Sequence, residues 1–148
     1  MRVLSGEVAS ATGPARAAAF ADLRRLITVH ETAEQLVLHP RMRGLSDGVD
    51  ALVAQEHHGT ELLAELERLD PSSADFDARF TRLAVEIVAH ADHEELEEFP
   101  LVRERLPLEE RQRMGHALRV AEDSAHPEPA HRVVDRIREA LAGLFSSH

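Results

Sequence analysis

The chain has 148 residues, enough for one domain that buries most of its apolar surface without covalent staples. It holds no Cys, which excludes disulfides. Its 27 acidic residues outweigh 17 basic ones, every one an Arg, giving a formal net charge of −10 at pH 7. With 3% aromatic residues and neither Trp nor Tyr, that balance repels phosphate backbones and offers no stacking platform, so nucleic acid is set aside as a partner.

The N-terminal stretch MRVLSGEVASATGPAR lacks the unbroken apolar run of a secretory signal. No stretch approaches the roughly 18 consecutive apolar residues that span a bilayer. A cytoplasmic location without a membrane partner is therefore expected.

From Pro14 to Arg43, Phe20, Leu23, Ile27, Glu34, Val37 and Leu38 recur at spacings near 3.6, which predicts one long helix. Thr12 stands where a cap is needed, and Pro14 falls in the first turn, where its missing N–H is harmless. A second helix is expected from about Ser46 to Leu69, with Asp47 and Asp50 complementing its N-terminal dipole. DPSSAD breaks it.

The third helix is expected from about Asp75, with Phe76, Phe80, Leu83, Ile87 and Val88 on one stripe, ending after Phe99 and Pro100. A fourth, shorter one starts near Leu108. Two prolines within SAHPEPAH predict a hinge over 124–130 that closes a bundle of residues 1–123. The segment 131–148 then reads as a C-terminal amphipathic helix, with Val133, Val134, Ile137, Leu141 and Leu144 on its apolar face. Nothing reads as a strand.

One phrase occurs twice. HETAEQLVLHP at 30–40 and HADHEELEEFP at 90–100 each open on His, place Glu four positions later and close on Pro. On a helix such pairs share a face, so His30 points with Glu34 and His90 with Glu94. Both pairs adjoin residues that face the core, where a carboxylate and an imidazole cost several kcal/mol unless paired or bound to a cation. A solvated or salt-bridged pair is the ordinary reading of either motif alone; the repetition in register favours a shared chemical purpose.

Between the motifs, EHHGTE offers His57 and His58, which lie near the edge of the inner face set by Leu52, Val53, Leu63 and Leu66. Periodicity does not choose between them. Glu61 and His93 lie within about one turn of these groups and are further candidate donors. His39, His116, His126, His131 and His148 have no partner at ligand spacing.

The two HisxxxGlu phrases together with EHHGTELLAELERLDP resemble the hemerythrin-like, or HHE cation-binding, domain, over about Ser10 to Glu122. The resemblance implies an all-α, up-down helical bundle around a non-haem di-iron centre. Carried over residue by residue, it implies His30 and Glu34, His57 (favoured over His58), and His90 and Glu94 as metal ligands. It also implies that the first helix is truncated to RVLSGEV and its histidine absent. The vacated groove is then filled either by the C-terminal helix or by a second chain, making a homodimer.

Imidazole and carboxylate donors suit iron, manganese or zinc, and the lack of Cys disfavours copper(I) and structural thiolate zinc. Facing carboxylates favour two ions, and iron is the choice by resemblance. HETAE and HEELE echo zinc-protease HExxH but replace its second His with Glu, and no GxSxG or phosphate-cradling loop is present. Two functions are expected in turn: a metal module for oxygen, nitric oxide, redox sensing or metal handling, with no enzymatic turnover assigned, or a metal-free helical interaction protein with a degenerate site.

Overall fold

The computed structural model describes residues 1–125 and 130–146. Its described residues form helices α1 (Arg2–Ser10), α2 (Gly13–Ala33), α3 (His39–Met42), α4 (Val49–Glu67), α5 (Ala74–His93), α6 (Phe99–Arg105), α7 (Leu108–Ser124) and α8 (Ala130–Ser146), and no strand. Two π-helical turns join them, Glu34–Leu38 between α2 and α3 and Glu94–Glu98 between α5 and α6. The chain divides into two compact units, Met1–Arg24 with Asp50–Leu96, and Arg25–Val49 with Glu97–His148.

In the first unit, RVLSGEV, expected as the end of a truncated helix, belongs to the nine-residue α1, which packs against α5. Gly13 then turns the chain into α2 at φ 57°, a left-handed conformation that a Cβ would strain. The aromatic core joins Phe20 edge-on to Phe76 at 5.3 Å and stacks Phe76 on Phe80 at 5.9 Å. Ser73 starts α5 by accepting a hydrogen bond from the Phe76 amide at 3.1 Å, with Asp75 and Asp77 in the first turn.

Arg16 fastens three segments of this unit. Its Nε donates to the Val8 carbonyl at 3.1 Å, its Nη1 donates to the Pro71 carbonyl at 2.9 Å, and its Nη2 pairs with Asp77. The guanidinium carbon also lies 4.9 Å from the centre of the Phe76 ring.

The second unit is built on small residues. Ala117, Ala121 and Ala125 let α8 approach α7 closely, and Val133, Ile137 and Leu141 of α8 close over them with Val29 and Ala33. Val133, Ile137 and Leu141 were expected on that apolar face, and α8 buries them in its own chain. Of the expected hinge, Ser124 ends α7 and Ala125 caps it, while 126–129, with His126, lie outside the described residues, as does His148.

Three expected boundaries move. The second helix begins at Val49 rather than near Ser46. The first long helix is interrupted by the π turn at Glu34–Leu38, and helix continues beyond Pro100 to Arg105. The last two share a cause. Within an α-helix a proline ring collides with the carbonyl four residues back and has no N–H to offer it. A π turn just upstream widens the backbone, so Pro40 and Pro100 fall in the first turn of a new helical segment instead of ending the old one.

Candidate metal centre

Each copy of the repeated phrase places its His at the end of an α-helix and its Glu at the first residue of a π turn. In the first unit, His90 Nε2 lies 2.8 Å from Glu94 Oε1 and 3.8 Å from Glu56 Oε1. Glu56 and Glu94 are buried, and the His90 side chain is 16% exposed. One imidazole thus stands between two carboxylates, one from α4 and one from its own helix.

In the second unit, His30 Nε2 lies 3.3 Å from Glu34 Oε1, with Glu34 buried. The π turn adds a second imidazole. The His39 amide donates to the Glu34 carbonyl across five residues, and so the two side chains come onto one face, with ligand atoms within 4.8 Å of one another. His39 Nε2 in turn lies 3.8 Å from Glu98 Oε1, both side chains 1% exposed.

The residues that contribute to groups able to hold a metal ion are Glu56, His90 and Glu94 in the first unit and His30, Glu34 and His39 in the second. Their chemistry fits a borderline cation: imidazole nitrogens and carboxylate oxygens, with no thiolate. Their spacing fits as well. Two donors each about 2.1 Å from one ion stand roughly 3.0 Å apart in an octahedron and 3.4 Å in a tetrahedron; His90–Glu94 at 2.8 Å and His30–Glu34 at 3.3 Å are close to those values, and His90–Glu56 and His39–Glu98, both at 3.8 Å, are wider.

The structure brings together four of the five favoured residues within their units, as His30 with Glu34 and His90 with Glu94. His57 departs from expectation. Its side chain is 77% exposed and 3.5 Å from exposed Glu61, facing solvent, and the neighbouring Glu56 takes the inward position. Consecutive residues on an α-helix differ by about 100° in direction, so one step separates the two outcomes. The stripe that fixes the choice is Leu52, Glu56, Leu63 and Leu66, and Glu56 sits four residues from Leu52 and seven from Leu63.

His58 is half-buried and pairs with Glu86 at 3.1 Å, as a surface bridge between α4 and α5. Glu61 is exposed and His93 half-buried. His116 and His131 are exposed, as expected of residues with no ligand partner. His39, placed in that same group from its sequence spacing, is instead buried beside Glu98. Spacing five apart brings no two side chains together on an α-helix, and it does so on a π turn.

Comparison with known proteins finds a matching family model and a curated relative. The model of the hemerythrin HHE cation-binding domain matches residues 2–102. A curated relative, a DNA nickase of Nostoc sp. (strain PCC 7120 / SAG 25.82 / UTEX 2576), is 27% identical over 104 residues, covering 69% of this chain. The matched region spans 30% of that relative's length. No solved structure matches.

Proposed function

The chain belongs to the hemerythrin family of HHE cation-binding domains, and from that premise we propose that it is a non-haem iron module that takes two ions per chain. Its ligands include His90, Glu94 and Glu56 of the first unit and His30 and Glu34 of the second. The observation that carries the reading is the burial of Glu34 and Glu94, each beside a histidine at the start of a π turn. Burying a carboxylate and an imidazole costs several kcal/mol per charge, and a cation that gathers them offsets that cost. Such π turns are rare and recur at functional sites.

Bound iron would supply an open coordination position for dioxygen, nitric oxide or peroxide and a one-electron change of charge. The protein's part is to hold donors in place and limit water. Ile27 and Ile87, both buried, lie about one turn before His30 and His90 on the same helices. The role we assign is oxygen, nitric oxide or redox sensing, or metal handling, without turnover, in the cytoplasm and as a homo-oligomer.

The activity named for the Nostoc relative is not extended to this chain. A net charge of −10 with no lysine opposes a nucleic-acid backbone. Metal analysis and an ultraviolet-visible spectrum under air test the proposal on protein purified without a nickel column. Oxo-bridged ferric absorption with bound iron supports it. Colourless protein with negligible metal supports the other reading, a metal-free helical interaction protein.

A further inference from the structure

Within the first unit a line of donor groups runs inward from the surface of α4 to α5. His57 Nε2 lies 3.5 Å from Glu61 Oε1, and Glu61 Oε2 lies 3.8 Å from His58 Nδ1. His58 Nε2 then lies 3.1 Å from Glu86 Oε1. One helical turn beyond Glu86 on α5 stands His90, with Glu94 at 2.8 Å and Glu56 at 3.8 Å. Imidazole and carboxylate alternate along the line. Side-chain exposure falls at every step, from 77% at His57 through 60%, 44% and 31% to 16% at His90, and Glu94 and Glu56 beyond it are buried.

Each outer link alone is a surface pair that adds little to stability. Their order is what calls for a cause. A bridge that only fastened α4 to α5 would need His58 and Glu86, yet the line continues outward to His57 and Glu61, a pair on one helix. Among the described residues, none of His57, Glu61, His58 and Glu86 belongs to a group of three or more donors within 4.8 Å. A cation passing them meets two ligands at a time. That suits transit, which requires binding strong enough to admit an ion and weak enough to release it.

Arg82 stands at the middle of the line. Its Nε lies 3.8 Å from Glu86 Oε1 and its Nη2 3.5 Å from His58 Nε2, with the side chain 65% exposed. A guanidinium there neutralises Glu86 while no ion is present and opposes one that arrives.

We propose that His57, Glu61, His58 and Glu86 form the route by which a divalent cation enters and leaves the buried donors around His90, with Arg82 as the charge it displaces. This rests on the reading of the chain as a metal protein and adds to it the way the ion gets in.

Rates carry the test. Full-length wild type, H58Q, E86Q and R82Q are stripped of metal and mixed anaerobically with iron(II) and, separately, zinc(II), and metal per chain is counted against time. Release is timed in excess chelator. E65Q is the control, because Glu65 pairs with Arg79 in another exposed bridge between α4 and α5 that lies off the line. A route lowers the barrier in both directions and leaves the equilibrium alone. Loading and release are therefore both slowed in H58Q and E86Q, by about 10-fold or more, the low end of what a cleft lined with one sign of charge adds to an on-rate. Final metal per chain and Kd match wild type. R82Q loads faster than wild type, E65Q loads at the wild-type rate, and E86D, which keeps the carboxylate, loads faster than E86Q.

Unchanged loading rates in both H58Q and E86Q would overturn the route and leave these residues as surface ion pairs. Loss of metal per chain at equilibrium in those variants would overturn it as well, since it would make them ligands rather than a path. Loosening of the helix pair does not imitate the expected result: it lowers the metal-free thermal midpoint and opens the way in, so loading quickens. A wild type that takes up no metal overturns the functional reading, and is thereby distinct from failure of the route alone.

Discussion

His90 Nε2 stands 2.8 Å from Glu94 Oε1 at the point where α5 gives way to a π turn, and Glu56 flanks the same nitrogen at 3.8 Å. Three donors, from α4, α5 and the π turn, converge on one spot, and only Glu94 lies in the turn that precedes the proline. Pro100 forbids an unbroken α-helix, and the π turn that results sets the direction of Glu94 and Glu98.

Pro100→Ala returns the missing N–H and removes the ring clash, so the segment is free to relax into an α-helix. The expected outcome is a gain in helix stability with a loss in metal affinity of about 10-fold or more, the scale seen when supports of a metal ligand are disturbed. Metal titration alongside thermal unfolding checks it. Unchanged affinity would mean that the π turn does not set the donors.

Arg16 holds the end of α1, the loop before α5 and the first turn of α5 together. Its side chain is mostly buried, and its loss leaves the Val8 and Pro71 carbonyls without their donor. Arg16→Ala is expected to lower stability by roughly 2–3 kcal/mol, the range for hydrogen bonds to a charged group. Urea unfolding measures it, and a change below about 0.5 kcal/mol, that of an ordinary surface substitution, would contradict it.

The His–Glu spacing, the helical stripes and the amphipathic tail are legible in the sequence because each is a property of an α-helix of fixed period. His30 with Glu34 and His90 with Glu94 follow directly. His39 and Glu98 are not legible in that way, since an α-helical period has no place for a pairing five residues apart, and Glu98 sits in the run EELEE, which reads as a solvated face. His57 was favoured by family resemblance, whereas the Leu52, Leu63 and Leu66 stripe points to Glu56.

Acid sensitivity outside the metal donors has a defined sign. The hydrogen bond from Arg41, with the charges of Arg41 and Arg113, holds the Glu110 carboxyl below its ordinary 4.5. The Ser72 amide, and then its hydroxyl, hold Asp70 below 3.8. Both groups have a lower pKa folded than unfolded, so their contribution is present above those ordinary values and is lost as pH falls through the folded ones. Glu110→Gln is expected to reduce the difference in stability between pH 7 and pH 3. An equal or larger difference in the variant, by urea unfolding, would contradict that assignment.

The central claim is that the buried carboxylates at the two π turns, with the partly buried imidazoles beside them, exist to hold cations. Metal stoichiometry per chain, measured on full-length protein purified without a nickel column and again on the His90→Ala variant, tests it most directly. Two iron equivalents are predicted for the wild type and at least one fewer for the variant. Equal metal content in the two proteins, or none in the wild type after iron(II) is supplied anaerobically, would contradict it.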